Sequence, residues 1–270
     1  MYGSRVIAYT MAIGLSMICL VAEASAQTLA QSGANDSARA ILQRYADAWL
    51  GRKELELPRN VVLAFTVRGE HGGDFAIELS NEPGGVVRDG VPAQYDIRFD
   101  TDIEFLRILD SGRMSALTAM GQAKSSDPIP LSPQFGPDFN KLPNAPLLFR
   151  RLSFHFWTRG WPEIVPFGEL AARQVHGGNA AVFVYDRELR SAWYQLKAGM
   201  HINADRKDQT NDFPQLVIVT KGAFNARLDG RQMVLSEGQA VLIPPGMVHE
   251  FWADVGQYGE FIFIAFGQGA

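Results

Sequence analysis

The stretch that decides the fold of the C-terminal part of this chain runs from residue 238 to residue 249 and reads GQAVLIPPGMVH. Gly238, Pro244 and Gly246 stand at fixed spacing before His249, in the pattern Gly-x5-Pro-x-Gly-x2-His. Glycine and proline supply the backbone angles of tight turns. The spacing therefore predicts two short strands joined by a turn that directs the histidine into the mouth of a barrel.

The sequence around this stretch has the pattern of an all-β domain. From about residue 180 onward, short apolar runs alternate with Gly, Asp-Gly and Pro-Gly turns. Asp229-Gly230 lies between two such runs and is typical of a β-hairpin. Many short strands with tight turns predict a barrel or jelly roll.

The motif around His249 resembles the second conserved motif of the cupin family. Two positions depart from the family pattern. The family usually has Asn where this chain has Ala253, and Gln215-x6-Gly222 resembles the end of the first cupin motif with Gln in place of Glu. The resemblance implies an all-β double-stranded β-helix barrel over residues 176–270.

The resemblance also implies a metal centre in which three histidines and one glutamate converge inside the barrel, a ligand set that suits a divalent transition metal. Here residues 208–211, Asp-Gln-Thr-Asn, occupy the place of the family's His-x-His. Only His249 aligns with a family ligand, so we predict a barrel without a metal cofactor. The alternative is Fe, Mn, Zn or Ni held by His249, His201 and Gln215.

Strand alternation predicts which barrel side chains point inward. We expect His249 and Phe251 on the inner face, and Glu250 and Trp252 on the outer face. If the protein has a catalytic residue, His249 is the candidate, acting as a general base. The predicted ligand-binding residues of the barrel are His249, Gln215, Phe251 and Tyr194.

A second resemblance covers residues 61–130. Residues 61–67 and 94–99 resemble two strands of the sterol carrier protein 2 family of lipid-binding domains, and residues 103–124 resemble its ligand-facing helix, turn and small helix. The family ends the next strand in Gly-Asp, where this chain has Ser126-Asp127.

This resemblance implies an α+β N-terminal domain, residues 37–130, with helices on one face of a curved sheet and an apolar tunnel between them. Apolar side chains at helical spacing fill a core more often than they line a pocket, so core packing stays open as the alternative. The predicted tunnel residues are Ile103, Leu106, Leu109 and Met120.

Two further segments complete the predicted organisation. Pro, Ser and Asn are frequent in residues 125–146, and aromatic residues are frequent in 147–165, so we interpret residues 131–175 as a linker and junction segment. Residues 1–26 resemble a signal peptide, with Arg5, an uncharged apolar run and Ala24-Ser25-Ala26. We expect cleavage after Ala26 and a periplasmic or secreted protein; an uncleaved anchor is the alternative.

Composition narrows the function. The net charge of −4 makes nucleic acid a poor partner, and the single cysteine lies in the predicted signal peptide, which excludes disulfides after cleavage. Our first hypothesis is an exported binding protein, not an enzyme, for a hydrophobic or small organic ligand, such as a lipid or sterol-like molecule, with a possible homodimer through the barrel. The second is a metal-dependent cupin isomerase, lyase or dioxygenase. The third is an assembly module whose barrel is filled by bulky side chains.

Overall fold

The computed structural model describes residues 36–49, 55–122, 127–158 and 164–270. Residues Ser37–Ala270 form one compact unit. The predicted signal peptide lies outside the described residues. Within those residues, no helix has the length and apolar character needed to cross a membrane.

The chain enters the fold through helix α1, Ala38–Ala48. The side chain of Ser37 caps this helix by accepting a hydrogen bond from the backbone N–H of Ala40 at 3.3 Å, which satisfies one donor of the first turn. Ile41, Leu42 and Tyr45 form the buried face of the helix, as the apolar spacing requires.

A mixed five-stranded sheet follows in the order β3-β2-β1-β4-β5. Strands β1 and β4 are parallel, and the other neighbouring pairs are antiparallel. Helices α2 and α3 follow β4 directly in the chain. The strands are β1 (Val61–Arg68), β2 (Gly73–Leu79), β3 (Val87–Asp89), β4 (Ile97–Asp102) and β5 (Ser132–Phe135), and the helices are α2 (Ile103–Asp110) and α3 (Ala116–Met120).

Aromatic rings fill the centre of this N-terminal region. The ring of Trp157 packs edge-on against Tyr45, Phe65 and Phe99, with centroid distances of 5.0, 5.8 and 5.4 Å. Trp157 follows helix α4, Ala145–Phe156, which also contributes Phe156 to the same core. The predicted α+β class is confirmed for this region, while its likeness to sterol carrier protein 2 stays a prediction.

The segment predicted as a linker, residues 131–175, carries regular structure. It contains β5 at the edge of the first sheet, the 3-10 helix η1 (Phe139–Lys141), helix α4 and strand β6 (Arg173–Val175). Leu152 and Phe156 of α4 are fully buried in the N-terminal core. The domain boundaries at 37–130, 131–175 and 176–270 stay predictions.

The C-terminal region is a curled antiparallel sheet, as the strand pattern predicts. Its strands follow the order β6-β7-β8-β14-β10-β13-β9, and β11 and β12 also pair with β10. A short 3-10 helix, η2 (Arg206–Asp208), lies between β9 and β10. The strands are β7 (Gly178–Asp186), β8 (Leu189–Lys197), β9 (His201–Ile202), β10 (Gln215–Leu228), β11 (Arg231–Ser236), β12 (Ala240–Ile243), β13 (His249–Trp252) and β14 (Tyr258–Phe266).

Strand β10 bends near its middle and thereby builds both layers of the barrel. Its first half pairs with β12 and β14, and its second half pairs with β11 and β13. The register against β14 shifts between Val219 and Lys221, and Gly222 follows with φ +68°. Rings from the two layers then meet inside: Phe261 of β14 lies 5.9 Å from Phe251 of β13.

We predict that Gly222→Ala lowers the free energy of unfolding by about 3 kcal/mol or more, since backbone strain and a clash add together. A Cβ atom at this position would lie 2.1 Å from the carbonyl oxygen of Tyr258, and the backbone has a positive φ. Urea denaturation of both proteins, followed by circular dichroism, measures the difference.

Gly230→Ala is the matched control for the strain alone. Gly230 has φ +80°, but no atom lies within 4 Å of the position that its Cβ would take. We expect it to cost about 1 kcal/mol. Equal losses for the two variants would contradict the close approach of Gly222 to β14.

Candidate functional site

The candidate site lies at the end of the barrel where the chain enters β10 and β13. The backbone N–H of Gly246 donates to the carbonyl of Asn211 at 2.8 Å, and the N–H of His249 donates to the carbonyl of Gln209 at 2.9 Å. These bonds hold the loop before β10 against the turn before β13. We call this end of the barrel the mouth.

The inner and outer faces of β13 follow the predicted alternation. Residues that pair across an antiparallel ladder share a face. Phe251 pairs with Ala226 of the barrel core, and His249 pairs with Leu228 of the same core. His249 is 2% exposed and its ring lies 6.0 Å from that of Phe251, so both side chains face inward.

One hydrogen bond fixes the tautomer of His249. Its Nδ1 lies 2.9 Å from the carbonyl oxygen of Met247, and a carbonyl can only accept, so Nδ1 carries the proton. Nε2 then holds a lone pair, and it has no hydrogen-bond partner among the described residues. A neutral imidazole of this kind can accept a hydrogen bond, take up a proton or bind a metal ion.

A second histidine, His176, is held at the same mouth. Its Nε2 hydrogen bonds with the side-chain oxygen of Asn203, whose amide nitrogen donates to the carbonyl of His249 at 3.2 Å. Because the amide oxygen accepts, Nε2 of His176 carries the proton. Its Nδ1 is buried and has no hydrogen-bond partner in the part of the chain that the structure describes.

The environment keeps His249 neutral. Burial lowers its pKa below the usual 6.5, and the positive charge that His176 would carry lowers it further, while the bond to Met247 acts in the opposite direction. His249 therefore presents a neutral ring with a lone pair on Nε2 at the mouth at neutral pH.

Aromatic side chains line the barrel below the two histidines. Tyr194 pairs with Phe261 across the β8–β14 ladder, and their rings stack with centroids 5.3 Å apart. Phe263 packs edge-on against Tyr194 at 6.1 Å. Burial raises the pKa of Tyr194 to about 12, and the charge of Asp127 contributes, so its hydroxyl stays protonated.

Gln215 belongs to the same inner face. Gln215 lies two residues before Val217 on β10, so the two side chains point to the same face. Val217 pairs with Phe263, and Gln215 pairs with Ala265. The residue is 2% exposed. The four barrel residues predicted to bind ligand, namely His249, Gln215, Phe251 and Tyr194, therefore all lie on the inner face.

His201 lies on the opposite face of the barrel wall. It pairs with Trp252, while the neighbouring pair, Ile202 and Phe251, faces inward. Its Nε2 lies 2.7 Å from a carboxylate oxygen of Glu250, and Arg227 contacts the other oxygen of that carboxylate at 2.5 Å. Glu250 faces outward as expected, yet it is buried under this ion-paired cluster.

The proposed metal set is therefore divided between two faces. His249 and Gln215 point inward, but His201 does not join them. Among the described residues, no group of three or more His, Cys, Asp or Glu side chains is arranged to hold a metal ion. The inner face offers Nε2 of His249 and the amide of Gln215, and Nδ1 of His176 is a further ring nitrogen without a partner among the described residues.

The residues predicted for the N-terminal tunnel lie in the core of that region. Ile103, Leu106 and Leu109 of α2 are at most 3% exposed, and Met120 packs against the same core. This agrees with the alternative that they fill the core. Their part in ligand binding stays a prediction.

Sequence reasoning did not select His176 and Asn203 as site residues. The signal was the glycine pair that follows His176. A Cβ at Gly177, where φ is +85°, would lie 2.0 Å from the carbonyl oxygen of His201. Because glycine has no Cβ atom, the turn can approach β9, and His176 then lies within hydrogen-bond distance of Asn203.

Comparison with protein families identifies the barrel. The model of the AraC-like ligand-binding domain matches residues 174–264, from β6 into β14. The C-terminal region is a cupin-type barrel with the features of a ligand-binding domain. The resemblance based on the His249 motif is thus confirmed for this region, while the family model covers about a third of the chain.

One curated relative and two solved structures illustrate the similarity. A D-lyxose/D-mannose isomerase from Escherichia coli O157:H7 is 39% identical over 60 residues, which are 22% of this chain and 26% of the relative. An RmlC-like cupin from Shewanella frigidimarina has 20% identity and a TM-score of 0.30, covering 35% of this chain and 78% of its own. The polyketide cyclase RemF from Streptomyces resistomycificus has 16% identity and a TM-score of 0.30, covering 35% and 66%.

The buried, neutral His249 predicts a pH dependence of stability. Because its folded-state pKa is lowered, the unfolded chain binds more protons below about pH 6.5 and stability falls as the pH drops. We expect wild type to lose more unfolding free energy between pH 7.5 and 5 than His249→Gln, measured by urea denaturation at each pH. His71→Gln removes a histidine whose side chain is 54% exposed, and it should retain the wild-type slope. Parallel curves for wild type and His249→Gln would contradict the assignment.

Proposed function

We propose that the cupin-type barrel binds a small organic molecule at its mouth and that the protein acts as a carrier or sensor of this ligand. The observation that carries the proposal is the pair of ring nitrogens, Nε2 of His249 and Nδ1 of His176, that have no partner among the described residues. Nδ1 of His176 is a buried atom, and buried polar atoms in proteins are normally hydrogen-bonded. A ligand with two O–H or N–H donors would supply a hydrogen bond to each of these two nitrogens.

The aromatic wall supports a ligand with an apolar face. Tyr194, Phe251 and Phe263 offer ring surfaces on the inner side, and a few directed polar atoms on an apolar wall are typical of small-molecule sites. A sugar or another hydroxylated molecule combines hydroxyl donors with an apolar ring face. The short match to a sugar isomerase is compatible with this class of ligand.

The lipid or sterol-like carrier role, which rested on the N-terminal region, is a finer proposal. Its support is the α+β architecture with a mixed sheet and apolar helix faces. The core position of Ile103, Leu106 and Leu109 gives it no additional support. We therefore assign the ligand to the barrel mouth.

A metal-dependent isomerase, lyase or dioxygenase is the second candidate. The free lone pairs of His249 and His176 favour it, because both are ring nitrogens that suit a transition metal. A catalytic metal usually has about three protein ligands, and the third inner donor, Gln215, is a weak amide oxygen. The binding function therefore requires fewer additional assumptions.

The main experiment combines elemental analysis of protein purified without chelators with thermal-shift and calorimetric titration of monosaccharides and small aromatic acids. We expect no stoichiometric metal and at least one ligand that raises the melting temperature. His249→Ala should weaken that ligand about tenfold or more, which corresponds to loss of one hydrogen bond of about 1.4 kcal/mol.

His71→Ala serves as the control, since His71 lies in a turn outside the barrel. Unchanged affinity in His249→Ala would reject the site. Near-stoichiometric iron, manganese, zinc or nickel that is lost in His249→Ala would instead favour the enzyme. Failure of every ligand and metal would favour the assembly module.

We also propose that the protein is exported and acts after removal of residues 1–26. The support is the apolar run that ends in Ala24-Ser25-Ala26. When the full chain is expressed in a Gram-negative host, the periplasmic fraction should contain a protein whose N-terminal sequence starts at Gln27. An intact N-terminus in the cytoplasmic fraction would reject export.

A further inference from the structure

A cavity of about 360 Å³ lies between helix α4 and strand β7, apart from the barrel mouth. The helix contributes two arginines, a phenylalanine and a histidine, and the strand contributes an aliphatic side chain, a tyrosine and an aspartate. The lining residues used below are Arg150, Arg151, Phe154, Val184, Tyr185 and Asp186.

Only one of the two lining arginines has a carboxylate partner. Arg151 Nε lies 3.3 Å from Oδ1 of Asp186, and the same oxygen accepts a hydrogen bond from the backbone N–H of Arg187 at 2.6 Å. Arg150 forms no ion pair with any described residue. Its guanidinium lies over the ring of Tyr185, 4.9 Å from the centroid.

A third arginine increases the positive charge beside the cavity. Arg190 pairs with Tyr185 across the β7–β8 ladder, and its guanidinium lies 4.8 Å from the centroid of the Tyr185 ring. Its only described acceptor is the carbonyl oxygen of Gly269, at 3.3 Å. Within the lining itself, Arg150 and Arg151 face a single carboxylate, that of Asp186, which leaves one positive charge in excess, and Arg190 adds positive charge beside the cavity.

An unsatisfied donor indicates what the cavity lacks. The Nε atom of Arg150, which lines the cavity, is buried and has no hydrogen-bond partner among the described residues. A buried donor without an acceptor is destabilising, and the cost is larger when the group is charged. An anion would provide both acceptors and countercharge, and a guanidinium can bind a carboxylate or a phosphate through two parallel hydrogen bonds.

We propose that this cavity is a second binding site, specific for a small organic anion: a carboxylate or a phosphate ester on a planar apolar body. Arg150 binds the anionic group with its guanidinium. Phe154 and Val184 pack against the apolar body. The volume lies at the lower end of the usual range for small-molecule sites, about 300–1,000 Å³.

The proposal does not depend on the barrel ligand, because none of the residues at the mouth lines this cavity. It excludes neutral ligands of the same shape, since the excess positive charge of the lining would then stay uncompensated. It also predicts that binding weakens as the salt concentration rises, because the guanidiniums are only partly buried.

The test is isothermal titration calorimetry of the purified protein with benzoate, phenyl phosphate and benzyl alcohol. Benzoate and phenyl phosphate share the planar body and differ in the anionic group, so their relative affinity distinguishes a carboxylate site from a phosphate site. Benzyl alcohol has the same body without charge. We expect saturable binding of at least one anion and at least tenfold weaker binding of the alcohol.

Arg150→Gln should weaken the better anion at least tenfold. Glutamine is a good helix former, and thermal melting checks that the variant is folded. Arg187→Gln is the matched control: it removes the same charge from a side chain that is 70% exposed near the cavity, and it should change the affinity less than twofold. His249→Ala should bind the anions as wild type does.

Val184→Phe provides an independent test that leaves every charge in place. The larger side chain would occupy part of the cavity, and we expect it to reduce anion affinity at least tenfold. The proposal is overturned if neither anion binds wild type, if benzyl alcohol binds as tightly, or if folded Arg150→Gln and Val184→Phe both bind as wild type does.

Discussion

The bend of strand β10 at Gly222 is the constraint on which the barrel depends. A straight strand would place all of its partners in one layer. The first half of β10 instead pairs with β12 and β14, and its second half pairs with β11 and β13. Gly222 has a positive φ, and a Cβ atom at this position would lie 2.1 Å from the carbonyl oxygen of Tyr258, so there is no room for a side chain. The mouth forms because the loop before β10 then meets the turn before β13.

The chemistry of the mouth follows from backbone hydrogen bonds more than from side-chain pairs. The carbonyl of Met247 fixes the proton of His249 on Nδ1, and Asn203 connects His176 to the backbone of His249. Both rings are thereby oriented before any ligand arrives. Such preorganisation reduces the ordering cost of binding. Burial of His249 lowers its pKa, which maintains its neutral form.

The two candidate sites differ in the charge that they offer. The mouth presents histidine ring nitrogens that have no hydrogen-bond partner among the described residues, whereas the cavity between α4 and β7 presents guanidiniums in excess of carboxylates. A hydroxylated ligand fits the first, and an organic anion fits the second. The cluster of His201, Glu250 and Arg227 belongs to neither, because it lies on the outer face of β13, where Glu250 contacts both other side chains.

The sequence by itself determined the barrel, because the spacing of Gly238, Pro244, Gly246 and His249 encodes turn geometry locally, and strand alternation fixes which neighbours face inward. It also indicated the α+β class of the N-terminal region from helical and strand periodicity. It could not decide that His201 lies opposite His249, because that depends on the pairing of β9 with β13. The glycine pair after His176 indicated a close turn, but the contact of His176 with Asn203 and the arginine-lined cavity arise only when segments distant in the chain pack together.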